Sequence, residues 1–213
     1  MSRDTVLCLC DLSGVMAAPW VAAGYRAVLV DPQHGVDSDD GRVLRLAKTV
    51  EDAMPAIRDL IDDGRIAFVA SFPPCTDMAV SGARWFRSKR EADPLFQAKA
   101  VQVAEQCRTV GRLSGAPWFV ENPVSVLSNC FGKPQYIFEP WWYTGLCPDD
   151  NYHKRTCLWT GGGFRMPPKT VDYSLGDPDD RIHKAPPSSD RANFRSRTPL
   201  GFAIGVYKEN GKY

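Results

Sequence analysis

The sequence predicts an α/β fold with a mostly parallel central sheet, and three observations support this prediction. Short apolar runs typical of buried strands alternate along the chain with stretches of helical periodicity. Gly, Pro or an acidic residue follows most of these runs, as expected at turns. The chain has 213 residues, of which 44% are hydrophobic and 24% charged, which is typical of one globular domain. We therefore expect a single domain over residues 1–213, with a loop-rich segment over residues 164–195.

The first elements predict a right-handed βαβ unit. Residues 5–10 (Thr-Val-Leu-Cys-Leu-Cys) are a continuous apolar run, which indicates a buried strand. Residues 16–23 predict a helix, and Gly24 follows it at a position that favours glycine. Residues 25–30 predict the second strand, which ends on Asp31.

The rest of the chain continues this alternation and then becomes irregular. Apolar residues spaced by three and four favour helices, whereas short apolar runs bounded by Pro or Gly favour strands. The predicted elements are a helix over 50–63, a strand over 66–71, a long helix over 93–113, strands over 118–120, 136–138 and 156–160, a loop over 164–189 and a final helix over 198–206. In a sheet of this kind the ligand site lies at the carboxyl ends of the strands.

Charge, cysteine content and hydropathy narrow the class of protein. The net charge of +1 gives no bulk electrostatic argument for nucleic acid, but from residue 151 onward eleven Lys and Arg face six Asp and Glu. That excess suits either a phosphate-facing surface or a solvated tail. Seven scattered cysteines predict free thiols in a reduced, cytoplasmic protein, and their spacing argues against a metal site. We expect no leader segment at the N-terminus and no membrane span.

Cys75 follows a predicted strand and the pair Pro73-Pro74. A thiol attacks only as its thiolate, and the backbone N–H groups at a strand end together with a nearby cation favour that state. The alternative is a buried structural cysteine, the commonest fate of an isolated one. A rigid proline turn is an unusual setting for a side chain that only packs, so the pattern favours a nucleophile.

Glu121 closes another apolar strand and begins the turn Glu121-Asn122-Pro123. An acid at this position is poorly solvated, so we expect it to hold a proton more readily than a surface acid does. The alternative is an acid that points to water or caps a turn. Asn122 and Pro123 restrict the backbone after it, which favours a positioned side chain.

The turn after the first strand, Asp11-Leu12-Ser13-Gly14, favours a ligand site of a different kind. A glycine there lets the backbone approach a ligand closely, and an acid after the second strand, Asp31, is placed to bind a ribose diol. The full Gly-x-Gly-x-x-Gly pattern is absent, which argues against a dinucleotide. A plain structural turn is the alternative for this motif taken by itself.

Two further segments place cations near these motifs. Lys154 and Arg155 precede the strand over 156–160, and alternation predicts that Arg155 and Cys157 share one face and Lys154 and Thr156 the other. A cation near Cys75 would stabilise its thiolate, whereas a solvated loop charge is the alternative. Basic and aromatic residues over 84–90 suit either a lid over a nucleotide or an exposed loop.

These motifs, in this order, resemble those of the cytosine C5 DNA methyltransferases, and the likeness spans almost the whole chain. It is most specific at Pro73-Pro74-Cys75 and at Glu121-Asn122-Pro123, which resemble the Pro-Cys and Glu-Asn-Val motifs of that family. The other matches are a divergent first cofactor motif over residues 11–20, the acid Asp31 of the second motif, the single arginine Arg155 of the Gln-x-Arg-x-Arg strand, and a tail over residues 195–201 similar to that of small, often phage-encoded members.

The resemblance implies a Rossmann-like fold that uses S-adenosyl-L-methionine, in the cytoplasm of a bacterial host if the chain is phage-encoded. In the family chemistry Cys75 would add to C6 of a cytosine in DNA, Glu121 would donate a hydrogen bond or proton to N3, and Arg155 would hold the base carbonyl or assist the thiolate. A base inside duplex DNA must first be flipped out. The resemblance places the cofactor at Asp11, Ser13, Gly14, Trp20, Asp31 and Pro73, and the substrate at Ser81, Arg84, Asn122 and Lys154.

One departure from the family leaves the substrate open. Family members carry a separate target-recognition domain between the arginine motif and the final motifs, but only about thirty-five residues separate Trp159 from Arg195 here. Sequence-specific major-groove readout therefore has little support. One alternative is that the protein modifies DNA in a short or loosely defined sequence context, and another is that a homodimer or another partner supplies the specificity. The substrate could also be a free deoxycytidine nucleotide, or the transferred group could be one other than methyl. A non-catalytic module that binds nucleic acid or a protein is a further alternative.

Overall fold

The computed structural model describes residues 3–186, 188 and 191–211, and these residues form an eight-stranded mixed sheet. Its order is β3-β4-β2-β1-β5-β6-β8-β7. The five neighbouring strands from β4 to β6 run parallel, whereas β3 and β8 run antiparallel to the strands beside them. The strands are β1 (Thr5–Leu9), β2 (Arg26–Val30), β3 (Ser38–Asp39), β4 (Val43–Leu46), β5 (Ile66–Ser71), β6 (Trp118–Pro123), β7 (Tyr136–Phe138) and β8 (Thr156–Gly161).

Eight α-helices occur in the described residues, and they cover both faces of the sheet. They are α1 (Ala18–Ala22), α2 (Met54–Asp62), α3 (Phe86–Ala92), α4 (Phe96–Leu113), α5 (Leu127–Phe131), α6 (Arg181–Lys184), α7 (Arg191–Ser196) and α8 (Leu200–Asn210). Proline stands in the first turn of α1 and α2, where its missing N–H removes no helical bond. Within this described part of the chain, every helix is too short or too polar to cross a lipid bilayer.

The hydrophobic core is divided between the two faces of the sheet. In β1 the fully buried side chains of Leu7 and Leu9 pack with residues of α2 and α4, whereas those of Val6 and Cys8 pack with residues of α1 and α8. This division follows from the two-residue repeat of a strand, because successive side chains point to opposite faces. A continuous apolar run such as β1 is therefore expected only where both faces are covered.

The strand order reverses beside β1, because β2 and β4 lie on one side of it and β5 and β6 on the other. In open α/β sheets the crevice outside the carboxyl ends of the strands at such a reversal is where ligands bind. Asp31 directly follows β2, Cys75 follows β5, and Glu121 lies in the carboxyl-terminal half of β6. The arrangement of the sheet thus brings the predicted site residues to one edge.

The structure confirms the α/β class and the mostly parallel sheet, but it adds elements that the sequence pattern does not show. Both residues of β3 are exposed and β4 is only partly buried, so neither forms an apolar run. The helix α3 buries none of its residues and therefore has no apolar stripe. The expected loop over 164–195 contains a 3₁₀ turn, α6 and part of α7, while its residues 187, 189 and 190 lie outside the described residues.

The predicted strand over 118–120 extends to Pro123, which changes the setting of Glu121 and Asn122. These two residues pair with Leu158 and Cys157 of the antiparallel strand β8. They therefore lie within a strand paired with β8 and not in a free turn, although the pairing of β6 with β5 ends at Val120. The side chain of Asn122 is fully buried as a consequence.

Candidate active site

Cys75 lies four residues beyond β5, in a turn that its own carbonyl group stabilises. The carbonyl oxygen accepts hydrogen bonds from the backbone N–H groups of Met78 (2.9 Å) and Ala79 (2.8 Å). Pro73 before it is buried, and Cys75 itself is half-buried. The turn thus holds the thiol at the carboxyl edge of the sheet with one side open.

Three hydrogen bonds join the segment around Cys75 to β6 and the loop that follows it. Asn122 Nδ2 donates to the carbonyl oxygen of Pro73 at 3.0 Å, within the protein interior. The other two bonds connect backbone groups, from Val80 N to Val124 O and from Val126 N to Met78 O, each at 3.0 Å. Because these bonds lie on both sides of Cys75 in the sequence, they fix its turn beside the end of β6.

Glu121 is the buried acid of this arrangement. Its side chain is only 12% exposed, and its Oε1 lies 4.0 Å from Lys154 Nζ. Burial raises the pKa of Glu121, and the nearby charge of Lys154 lowers it in part. The direction agrees with the expectation that this acid holds its proton more readily than a surface acid does.

The thiol of Cys75 is not a ready-made thiolate, which corrects one expectation from the sequence. Burial first, and then the negative charge of Glu121, raise its pKa above the ordinary value, while the charges of Lys154 and Arg195 oppose this. Since the Glu121 carboxylate is one cause, protonation of Glu121 removes that repulsion and favours the thiolate. The acid and the thiol therefore influence each other's protonation, as expected of two groups at one site.

Lys154 connects Glu121 to the segment after α7. Its Nζ donates to the carbonyl oxygens of Ser196 (3.1 Å) and Arg197 (3.0 Å), and its backbone N–H donates to Glu139 Oε2 (2.8 Å). The crevice around this ammonium group is too narrow to admit a water molecule. It is lined by Phe72, Glu121, Phe138, Lys154, Thr198, Pro199 and Phe202.

Arg155 does not take the catalytic position that the resemblance gives it. Arg155 is exposed, and its charge lowers the pKa of Cys157. The positive charges that lower the pKa of Cys75 are instead those of Lys154 and Arg195. The alternation argument groups Arg155 with Cys157, and the charge of Arg155 does lower the pKa of that thiol, although Arg155 is exposed and Cys157 is buried. It fails to identify the inward-facing cation because β8 begins only at Thr156, so the two residues before it do not follow the strand repeat.

The turn after β1 is built around the carboxylate of Asp11. Its Oδ1 accepts hydrogen bonds from Ser13 N (2.9 Å), Ser13 Oγ (2.8 Å) and Gly14 N (2.9 Å). Its Oδ2 is buried and has no hydrogen-bond partner. Burial raises the pKa of Asp11, and the charge of Asp31 raises it a little further. The hydrogen bonds from Ser13 and Gly14 lower it but do not offset burial. Gly14 has a φ of +66°, a conformation that favours glycine.

Asp31 lies beside this turn, because β1 and β2 are parallel neighbours with Leu9 opposite Val30. Its side chain is buried, and its Oδ1 accepts from Gln33 N at 2.8 Å at the start of a 3₁₀ turn. The two acids Asp11 and Asp31 therefore meet at the carboxyl ends of adjacent strands. This is the placement that the sequence predicts for a cofactor site.

Trp20 does not lie in that site, which corrects its predicted contact with the cofactor. Its ring is fully buried in α1, with ring centroids 5.2 Å from Tyr25, 5.1 Å from Phe68 and 5.3 Å from Tyr207. Residues 15–17 after Gly14 form a single turn, so α1 begins at Ala18 and directs Trp20 into the core. Trp20 is a core residue.

Ser81 and Arg84 lie on the surface that follows Cys75. Both are exposed in the 3₁₀ segment Val80–Trp85, and the guanidinium of Arg84 lies 5.1 Å from the ring centre of the exposed Trp85. Lys89 of α3 ties this surface back to the turn, because its Nζ donates to Asp77 Oδ1 at 2.6 Å. These two predicted substrate contacts thus lie on the exposed segment that follows Cys75 and do not line the crevice around Lys154.

Arg195 is a charged group near Cys75 that the sequence reasoning does not assign. It belongs to α7, and its Nε is buried without a hydrogen-bond partner. The resemblance of residues 195–201 to a family tail identifies the segment but gives no role to its first residue. The contacts of α7 across the sheet edge are what bring this residue to the candidate site.

Comparisons with known proteins assign no family. None of the protein-family models matches the chain, and no curated protein matches it. Within the described ranges, no group of three or more His, Cys, Asp or Glu side chains is arranged to hold a metal ion. Function must therefore be inferred from the residues at the sheet edge and from their chemistry.

Proposed function

We propose that this protein transfers a methyl group from S-adenosyl-L-methionine to C5 of cytosine in DNA. The observation that carries the proposal is the pairing of Cys75 after β5 with the buried Glu121 of β6, the two held together through the bond from Asn122 to Pro73. A thiol and an acid that retains its proton are the two groups needed to activate an otherwise unreactive pyrimidine ring.

Cys75 is the nucleophile in the proposed mechanism. Its thiolate forms a bond to C6 of the ring while Glu121 donates a hydrogen bond to N3, so that the electron pair of the C5–C6 double bond becomes available at C5. Burial raises the pKa of Glu121, which favours the protonated form that can donate. S-adenosyl-L-methionine, held by the residues at the ends of β1 and β2, would supply the methyl group to C5, with its sulfur as the leaving group. Loss of the C5 proton would then expel the Cys75 thiolate and restore the ring.

The residues at the ends of β1 and β2 fit the proposed cofactor. S-adenosyl-L-methionine supplies an electrophilic methyl group on a positively charged sulfur, together with an ammonium group and a ribose diol that donate hydrogen bonds. Asp11 Oδ2 is a buried acceptor without a partner, which suits such a donor. Gly14 has the positive φ that this tight turn requires, and the buried Asp31 directly follows the adjacent strand β2, where a ribose is expected. We propose on this basis that the sheet is of the Rossmann-like methyltransferase type.

The proposal is tested by labelled methyl transfer to duplex DNA of mixed sequence. Cys75→Ala should abolish incorporation into DNA and leave circular dichroism and cofactor binding unchanged, because the half-buried thiol makes no side-chain hydrogen bond. The matched control is Cys130→Ala, since Cys130 is an exposed free cysteine of α5. Full activity in Cys75→Ala refutes the mechanism. Absence of cofactor binding in the unmodified protein instead supports a non-catalytic binding module.

A second substrate is favoured by one observation, the short connection between β8 and α7. Residues 162–186 contain only a 3₁₀ turn and the four-residue helix α6, which form no separate surface for reading a DNA sequence. A free deoxycytidine nucleotide needs no such surface. Labelled transfer to deoxycytidine monophosphate, compared with transfer to DNA at equal cytosine concentration, distinguishes the two substrates. A partner that supplies specificity is indicated if DNA becomes a substrate only in a cell extract.

A further inference from the structure

The helix α7 crosses the carboxyl edge of the sheet between the two halves of the candidate site. Near its middle, Asn193 Nδ2 donates to Gln33 Oε1 at 3.3 Å, in the 3₁₀ turn that follows β2. At its end, the carbonyl oxygen of Ser196 accepts from Lys154 Nζ, which in turn lies 4.0 Å from Glu121 of β6. The strands β1 and β5 lie between β2 and β6, so α7 spans the edge where Cys75 is held.

Arg195 lies between these two anchors, directly before Ser196. Its Nε has no contact with solvent and no hydrogen-bond partner, and leaving such a donor unpaired in the interior is costly. An unpaired donor of this kind is available to a negative charge that forms beside it. Burial and then Glu121 raise the pKa of Cys75, and the charge of Arg195 is among those that oppose them, which agrees with its position.

The charge of Lys154 opposes the raised pKa of Cys75 more than that of Arg195 does, but its ammonium group is already engaged. Lys154 already donates to two carbonyl groups and lies against Glu121. Arg155 is exposed, and its charge lowers the pKa of Cys157. The charged groups that face Cys75 are thus Glu121 from β6, Lys154 from the segment before β8, and Arg195 from α7.

We propose that Arg195 is the positioning residue that stabilises the thiolate of Cys75, in the role that the sequence gives to Arg155. The inference rests on the proposed function only in taking Cys75 as the nucleophile. It also accounts for the position of α7, because a helix tied to the cofactor side through Asn193 and to the acid side through Lys154 holds Arg195 at the edge of the sheet where Cys75 lies.

The test is the alkylation rate of Cys75 by iodoacetamide as a function of pH, followed for each cysteine by peptide mass spectrometry. Neither cofactor nor nucleic acid is present, and the exposed Cys130 of the same molecule is the internal control. Arg195→Gln should slow alkylation of Cys75 about threefold at mildly alkaline pH and move its pH profile to higher pH, because less thiolate forms without the cation. Arg195→Lys should restore most of the rate, and Arg155→Gln should change nothing.

Three outcomes overturn the inference. In the first, Arg195→Gln reacts at the wild-type rate. In the second it reacts faster, which means that α7 only covers the thiol. In the third, Arg155→Gln slows the reaction as much as Arg195→Gln does. Failure of the proposed function is distinguishable, because methyl transfer would then be absent from the unmodified protein while Arg195→Gln still slows alkylation of Cys75.

Discussion

Replacing Lys154 with Met tests how the acid side of the site is held together. The ammonium group makes two hydrogen bonds to carbonyl oxygens, at 3.1 and 3.0 Å, and lies 4.0 Å from the Glu121 carboxylate. The two side chains are only 11% and 12% exposed. Hydrogen bonds from a charged donor contribute about 1.5–3 kcal/mol each, and breaking a buried ion pair costs about 3–5 kcal/mol.

These contributions do not add fully in the Lys154→Met variant. Water can reach the freed carbonyl groups at the surface, and Glu121 can take up a proton when its cation is lost. We therefore expect a loss of about 2–3 kcal/mol in the free energy of unfolding at neutral pH. The loss should shrink as the pH falls, because Lys154 lowers the pKa of Glu121 and its removal matters most where that acid is ionised.

The assay is urea unfolding followed by circular dichroism, with Arg155→Met as the matched control. Arg155 is the adjacent cation and is exposed, so its replacement should change the free energy of unfolding by less than about 0.5 kcal/mol. If Lys154→Met is as stable as Arg155→Met at neutral pH, Lys154 does not connect Glu121 to the segment after α7 and the reasoning is wrong.

Three further predictions concern single positions. Burial raises the pKa of Asp150 to about 6, so ionisation of this group should destabilise the folded protein as pH rises from about 4 through 6. Asp150→Asn can still accept the bond from Gly201 N, so relative to wild type it should gain about 1–2 kcal/mol across that range in pH-dependent urea unfolding; a difference that does not change with pH contradicts this. Asn122→Ala leaves the Pro73 carbonyl without its buried donor, so calorimetry should show a melting temperature lower by several degrees, and transfer activity should fall more steeply than stability predicts. Gly14→Ala places a side chain at a φ of +66°, which should cost about 1–2 kcal/mol and weaken binding of S-adenosyl-L-methionine in titration calorimetry; unaltered affinity argues against a cofactor at this turn.

The elements that the sequence predicts well are those whose apolar residues are buried on a regular repeat. The strand over 66–71 is observed at Ile66–Ser71, and the long helix differs from its prediction only in its first turn, because both bury side chains at the expected spacing. The helix α3 and the strand β3 bury no side chains, so their formation depends on neighbouring structure. Their sequences therefore show no periodic pattern of apolar residues from which they could be predicted.

The sequence predicts those residues of the candidate site that lie at the ends of strands. It does not predict the residues whose side-chain direction is set outside regular secondary structure. Cys75 and Glu121 could be placed together because parallel strands bring their carboxyl ends to one edge. Lys154 and Arg155 could not be distinguished, because both precede β8 and the strand repeat does not yet apply. Arg195 could not be found at all, since its approach to Cys75 depends on contacts between residues far apart in the sequence.

The most direct test of the central claim is to trap the covalent bond between Cys75 and the base. The protein is incubated with S-adenosyl-L-methionine and oligonucleotides that carry 5-fluorocytosine in many sequence contexts. Because fluorine replaces the proton that must leave C5, the sulfur stays bound to C6 and an adduct of higher mass accumulates. We predict an adduct with the wild-type protein and with Cys130→Ser, and none with Cys75→Ser. An adduct that persists in Cys75→Ser, or none from wild-type protein that binds the cofactor, contradicts Cys75-mediated methylation of cytosine in DNA.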